Sequence, residues 1–238
     1  ALQGIAADDL TSPLAAPVEA IRLGLYALVR IGIYEHLAAA ALDASGQPVS
    51  NWWPIAYAIQ RLADPKGAPA LVTLLGTEGR LTAAFAARGL GVMKASDAAK
   101  FLRVIVQERR RHPAVIVQAI RALAAMNDHA SVPVLTSVIT DANVDRVLRV
   151  EALTALGTIG GTSVDLLLDL MSESWPPLRG AAMRALAATE PDTFLTALSG
   201  LDADRDWTVR AAQAAALGGL MTEQAQPRLM AMLRDPDQ

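Results

Sequence analysis

The chain of 238 residues is 53% hydrophobic but only 4% aromatic, carries a formal net charge of −3 and contains no cysteine. Ala, Leu and Val supply most of the apolar content, which favours helices over strands. The mild negative charge excludes a global pull toward nucleic acid or anionic membrane, and the missing cysteines exclude disulfides, thiolate nucleophiles and Cys-bearing metal sites.

No apolar run reaches the roughly 18–20 residues that span a bilayer, so no membrane span is expected and the chain reads as soluble. It would sit in the cytoplasm or the periplasm, with any targeting signal outside this sequence. The start, Ala-Leu-Gln-Gly without Met, suggests trimming from something longer.

An internal repeat dominates the sequence. Leucines near the end of successive helical segments, Leu28, Leu62, Leu90, Leu123, Leu156, Leu186 and Leu217, stand 34, 28, 33, 33, 30 and 31 residues apart. A period near 30 accommodates two short helices and two tight turns. The units run near 14–42, 51–75, 81–111, 113–139, 147–171, 175–198 and 207–234.

In the first unit, helices end near Gly32 and Leu42, and the turn-rich stretch 43–50 (DASGQPVS) is a loop within the array. Asn51 is positioned to cap the second unit, with Pro54 in the first turn. The third unit runs Leu81–Met93 and then, from a Ser96 cap, to about Arg111. The fourth is Pro113–Met126 and Val132–Ile139, the fifth Val147–Ile159 and Val164–Met171. In the sixth, Ser174 caps a helix whose first turn holds Pro176 and Pro177. The seventh spans Trp207–Leu220 and Glu223–Leu233.

The last residues, Arg234 to Gln238, read as the turn that would open an eighth unit, so the array looks truncated at its C-terminus. A hairpin cannot bury its own apolar stripe, and stacking makes one continuous core, so residues 1–238 read as a single solenoid domain. Its final helix is expected to expose an apolar face and to be able to self-associate.

At Val209-Arg210-Ala211-Ala212 and Ala216-Leu217-Gly218 the chain resembles the HEAT repeat family in its short bacterial form, the PBS-lyase HEAT-like repeat. Leu148-Arg149 with Ala155-Leu156-Gly157 fits the same pattern, as do Leu178-Arg179 and Ala185-Leu186. The fourth unit departs at Ile116, where the family places Arg. The resemblance implies an all-α fold, a right-handed α-α superhelix of about seven HEAT-like hairpins whose second helices line the concave side. The stretch from Trp52 to Leu62 also looks like bacterial HEAT arrays that carry a cyclophilin-type peptidyl-prolyl isomerase domain elsewhere. Nothing in this chain resembles that domain.

Few residues stand out from packing. Arg149, Arg179 and Arg210 recur at one repeat position and are expected to pair with turn acids such as Asp145 or Asp206 and with helix-end carbonyls. Trp52, Trp175 and Trp207 each follow a cap position. They either pack over the adjacent turn or form an aromatic strip along one edge, with Trp52 and Trp53 the best contact site. Lys100, Arg103 and Gln107 share a helix face within the locally basic stretch 88–111. That face is either a solvated charged surface or a site for an acidic partner or a phosphate.

His36, His112 and His129 lie in different units without ligand spacing, so no metal, cofactor or catalytic residue is assigned. The carboxylates of Asp165 and Asp169 share a face at i, i+4, as solvated pairs commonly do.

The resulting expectation is a non-catalytic scaffold, not an enzyme, that binds a protein partner on the concave surface of its second helices. A nucleic-acid-binding array using residues 88–111 is an alternative, although nucleic acid is not the favoured partner. A phycobilin-lyase-like protein or prosthetic-group chaperone is another.

Overall fold

The computed structural model describes residues 5–8 and 16–234. The start of the first unit before residue 16, and the proposed eighth-unit turn from residue 235 onward, lie outside the described residues. Among those described, the chain is all-α and forms two compact units, Ala1–Asp128 and His129–Gln238. The division falls between the two helices of the fourth expected hairpin. Among the described residues, no helix is long and apolar enough to cross a membrane.

The first unit contains α1 (Ala16–Ile31), α2 (Tyr34–Ala41), α3 (Trp53–Leu62), α4 (Ala68–Leu75), α5 (Arg80–Val92), α6 (Ala99–Glu108) and α7 (Pro113–Ala125). The second contains α8 (Val132–Thr140), α9 (Arg146–Ile159), α10 (Val164–Leu170), α11 (Pro176–Thr189), α12 (Pro191–Ser199), α13 (Trp207–Gly218) and α14 (Thr222–Met232). These are the helical hairpins expected from the leucine spacing. The second helix of the third unit is shorter than expected. A 3-10 turn at Ser96–Ala98 precedes α6, which stops at Glu108 because Arg109 takes a left-handed conformation at φ 54°.

In each unit the first helices of successive hairpins pack directly on one another, α3 on α5 and α5 on α7, then α9 on α11 and α11 on α13. The Ala-Leu-Gly pattern explains how. A Cβ at Gly91 would lie 2.7 Å from Ala122 Cα, and one at Gly157 would lie 3.0 Å from Ala185 Cα. In both cases the glycine follows the repeat leucine and meets the alanine that precedes the next one. The backbones approach closely because neither residue holds them apart. The buried leucines Leu90, Leu123, Leu156, Leu186 and Leu217 form the interior beside these contacts.

Capping is less local than expected. Asn51 is not the cap of α3, because Trp52 occupies that position without a side-chain cap bond. Likewise Trp175, not Ser174, holds the N-cap of α11. The loop at 43–50 is closed by Asp43, whose Oδ1 accepts from the backbone N–H groups of Ser45 and Gln47 at 2.8 and 2.9 Å.

At α5 the cap comes from far away in sequence. Asp8 Oδ1 accepts from Leu81 N at 2.8 Å and Thr82 N at 3.3 Å, while the Ala7 carbonyl accepts from Thr82 Oγ1 at 3.1 Å and from Trp53 N at 2.8 Å. Glycine at the N-cap position, Gly79, offers no side chain of its own. Asp8→Ala is therefore expected to lower stability by about 1 kcal/mol, read from the denaturation midpoint. Asp8→Asn, which keeps an acceptor oxygen, should recover most of the loss.

Candidate functional site

The repeated arginines are internal braces. In the second unit Arg149 Nε donates to the Ile139 carbonyl at 2.8 Å and Nη2 donates to Glu173 at 3.0 Å. Arg179 grips both Asp204 oxygens, each at 2.8 Å, and its Nη1 reaches the carbonyls of Glu173 and Ser174. Arg210, itself buried, donates to the carbonyls of Asp204 and Arg205 at 2.8 and 3.2 Å.

The expected kind of partner is present, but the acids differ. Asp145 and Asp206 cap α9 and α13 by accepting from Val147 N and Thr208 N, and the ion pairs go to Glu173 and Asp204. The guanidinium of Arg179 holds the Asp204 carboxyl below its usual range, against a smaller opposing effect of burial. Glu173 is lowered by the Ser174 backbone N–H and then by Arg149.

The tryptophans do not share one environment. Trp52 is fully buried, so it serves the core and offers no exposed edge. Trp175 is half-buried with the Arg146 guanidinium 5.7 Å from its ring centre, and Trp207 is 60% exposed at the start of α13.

Trp53 belongs to a cluster that sequence reasoning saw only in part. Its ring lies 6.4 Å from Tyr57 and 6.1 Å from Phe85, while Tyr57 is 5.3 Å from Phe85 and 5.4 Å from Tyr26. Mostly edge-to-face contacts link these four half-buried rings across α1, α3 and α5. Trp53 and Tyr57, at i and i+4, lie on one side of α3. The core beneath is already filled by Ile55, Ala56, Ile59, Ala83 and Ala86. The rings add a continuous aromatic surface across three consecutive first helices. The signal in the sequence was the common position of Tyr57 and Phe85, each five residues before a repeat leucine.

The α6 face is less basic than its sequence. Arg103 Nη1 donates to both oxygens of Asp128, at 2.7 and 2.8 Å, which neutralises its charge locally. Arg111 donates to the Thr77 carbonyl. Lys100 is exposed, with its ammonium 5.0 Å from the centre of the Phe101 ring, and Gln107 is exposed beyond it. Phe101 and Val104 emerge between them as exposed apolar groups. The expected basic stripe is thus a mixed surface.

The second unit also holds a cleft of about 500 Å³ that sequence reasoning missed. Its apolar wall includes Met171, Met183, Leu198 and Met232, and Asp202, Asp204, Arg210 and Arg234 also line it. The lining comes from segments far apart in sequence, so no local motif announces it. The cluster of methionines is its one compositional trace, in keeping with their use in adaptable apolar surfaces.

Fold and surfaces together define an all-α protein of tandem helical hairpins. Residues 103–187 match the HEAT repeats family, so the hairpins of that stretch are of the HEAT kind. The fold of this chain is also that of a chain in the solved complex of CpcE and CpcF of phycocyanin lyase from Nostoc sp. PCC7120. The two are 20% identical, the match covers 94% of this chain and 90% of that one, and the TM-score is 0.51. No curated protein matches by sequence. The structural likeness overturns the expectation that the chain is not an enzyme, because a chain of a phycocyanin lyase complex has this fold.

Proposed function

We propose that the chain is a partner-binding array whose docking patch is the aromatic surface of Tyr26, Trp53, Tyr57 and Phe85. The observation that carries this reading is the contact of four half-buried rings across α1, α3 and α5 above a core already complete without them. Aromatic groups that are partly held in place lose little freedom when a partner covers them, and such rings dominate binding energy at protein interfaces. This patch lies on first helices, so it differs from the second-helix surface that the sequence suggested.

The Tyr57→Glu, Phe85→Glu double substitution is expected to weaken capture of the natural protein partner by about 30-fold or more, as for loss of a binding hot spot. Photo-crosslinking from position 57 should mark the same partner. Retained affinity in a folded double variant would remove the patch from consideration.

A second reading rests on the cleft of the second unit and on the fold shared with phycocyanin lyase. In it the chain handles an open-chain tetrapyrrole, with the methionine wall against the pigment and Arg210 and Arg234 near its carboxylates. The volume is within the range of small-molecule sites. Titration with a phycobilin should change its visible absorption, and Met183→Trp should suppress the change. An unchanged spectrum at saturating protein would end this reading.

A further inference from the structure

From two faces that are open at α1 and α13, we infer that copies of this chain associate head to tail, the α1 face of one seated on the α13 face of the next. The internal contacts define the seat. In each unit a glycine after the repeat leucine receives the alanine before the following one, Gly91 against Ala122 and Gly157 against Ala185. Both halves of that seat also occur unoccupied. Gly218 follows Leu217 in the same register, yet a Cβ there would meet nothing within 4 Å. Ala27 precedes Leu28 in the register of Ala122 and Ala185, yet it is exposed whereas they are buried.

The surroundings of the two half-seats are also complementary. On α7 and α11 the position three residues before the seat alanine is a buried alanine, Ala119 or Ala182. On α1 it is Gly24, exposed and with open space around it. One turn to either side of Ala27 stand Leu23 and Ile31, which are 54% and 57% exposed. Beside Gly218 runs an apolar groove between α13 and α14, lined by Leu217, Leu220, Ala225, Leu229 and Met230. An α1 helix laid along α13 with Ala27 over Gly218 brings Leu23 and Ile31 to this groove. The new contact continues a packing surface that the chain already uses twice within itself. Because the two faces differ, the contact is heterologous and leaves an open face at each end of a pair.

The test is sedimentation velocity of the intact chain over a range of concentrations. The wild-type chain should gain mass with concentration. Ala27→Arg and Gly218→Arg should each remain monomeric, with association at least tenfold weaker. Both added side chains point into open space in the monomer, so neither variant should unfold at a lower temperature than the wild type. An equimolar mixture of the two variants should form 1:1 pairs, because the first keeps an intact α13 face and the second an intact α1 face. A wild-type chain that is monomeric throughout, a single variant that associates like the wild type, or a mixture that stays monomeric would each overturn the inference.

Discussion

Gly91→Leu is expected to destabilise the chain by about 3 kcal/mol, near the upper end for overpacking a filled interior. Even a methyl group at this position would lie 2.7 Å from Ala122 Cα and 2.8 Å from Ala122 Cβ. The obstacle is backbone, which cannot turn aside as a flexible side chain can. To admit a larger residue, α5 and α7 must separate, which loosens the contacts of the fully buried Ala87 and Ile120. The usual gain in helix propensity on replacing glycine, about 1 kcal/mol, offsets only part of this.

The control is Gly218→Ala, in the same register but with open space around it. There the propensity gain should survive, leaving stability equal or higher by up to about 1 kcal/mol. Denaturant titration at dilute protein distinguishes the two. Equal effects from both substitutions would mean that close packing is not why glycine occupies this register.

Asp204→Ala is expected to cost about 2 kcal/mol, because it strands the Arg179 guanidinium in a site where both side chains are mostly covered. Arg179 is 15% and Asp204 16% exposed, and their bond is bidentate at 2.8 Å. The carbonyls of Glu173 and Ser174 would still hold Arg179 Nη1, so the loss should fall short of that for a fully buried pair.

The pH dependence has a defined sign. The folded-state pKa of Asp204 is depressed, chiefly by the hydrogen bond from Arg179. Its stabilisation is therefore complete above the unfolded carboxyl value of about 3.9 and declines as pH falls from there through the lower folded value. The stability difference between the wild type and Asp204→Asn should shrink through that acidic window. A difference that stays constant to the acid limit would exclude this ion pair as the source.

The hairpin succession was legible because it rests on short-range regularities: leucines near every thirtieth residue, and alanine and glycine where helices cross. Caps and partners were less legible. Asn51 and Ser174 have good capping chemistry, yet Trp52 and Trp175 hold those positions. Arg103 looked like part of a basic face because Asp128, which neutralises it, lies 25 residues away. Of the tryptophans grouped from their cap positions, Trp52 is buried and Trp207 exposed. The aromatic surface depends on Tyr26 and Phe85 as much as on Trp53, and only packing of α1, α3 and α5 brings them together. The cleft of the second unit draws on segments from Met171 to Arg234, so it exists only in the folded chain.

The contact that Ala7 and Asp8 make with α5 changes the order in which the chain can be completed. Most contacts in a hairpin array are local and can form as each hairpin closes. The bond from Leu81 N to Asp8 bridges 73 residues, and no intermediate holding only the first two hairpins can contain it. The first turn of α5 should consequently close late and open early. Amide exchange at Leu81 and Thr82 would then follow the release of this far segment sooner than the loss of α5 itself, making those two amides a local clock for the first unit.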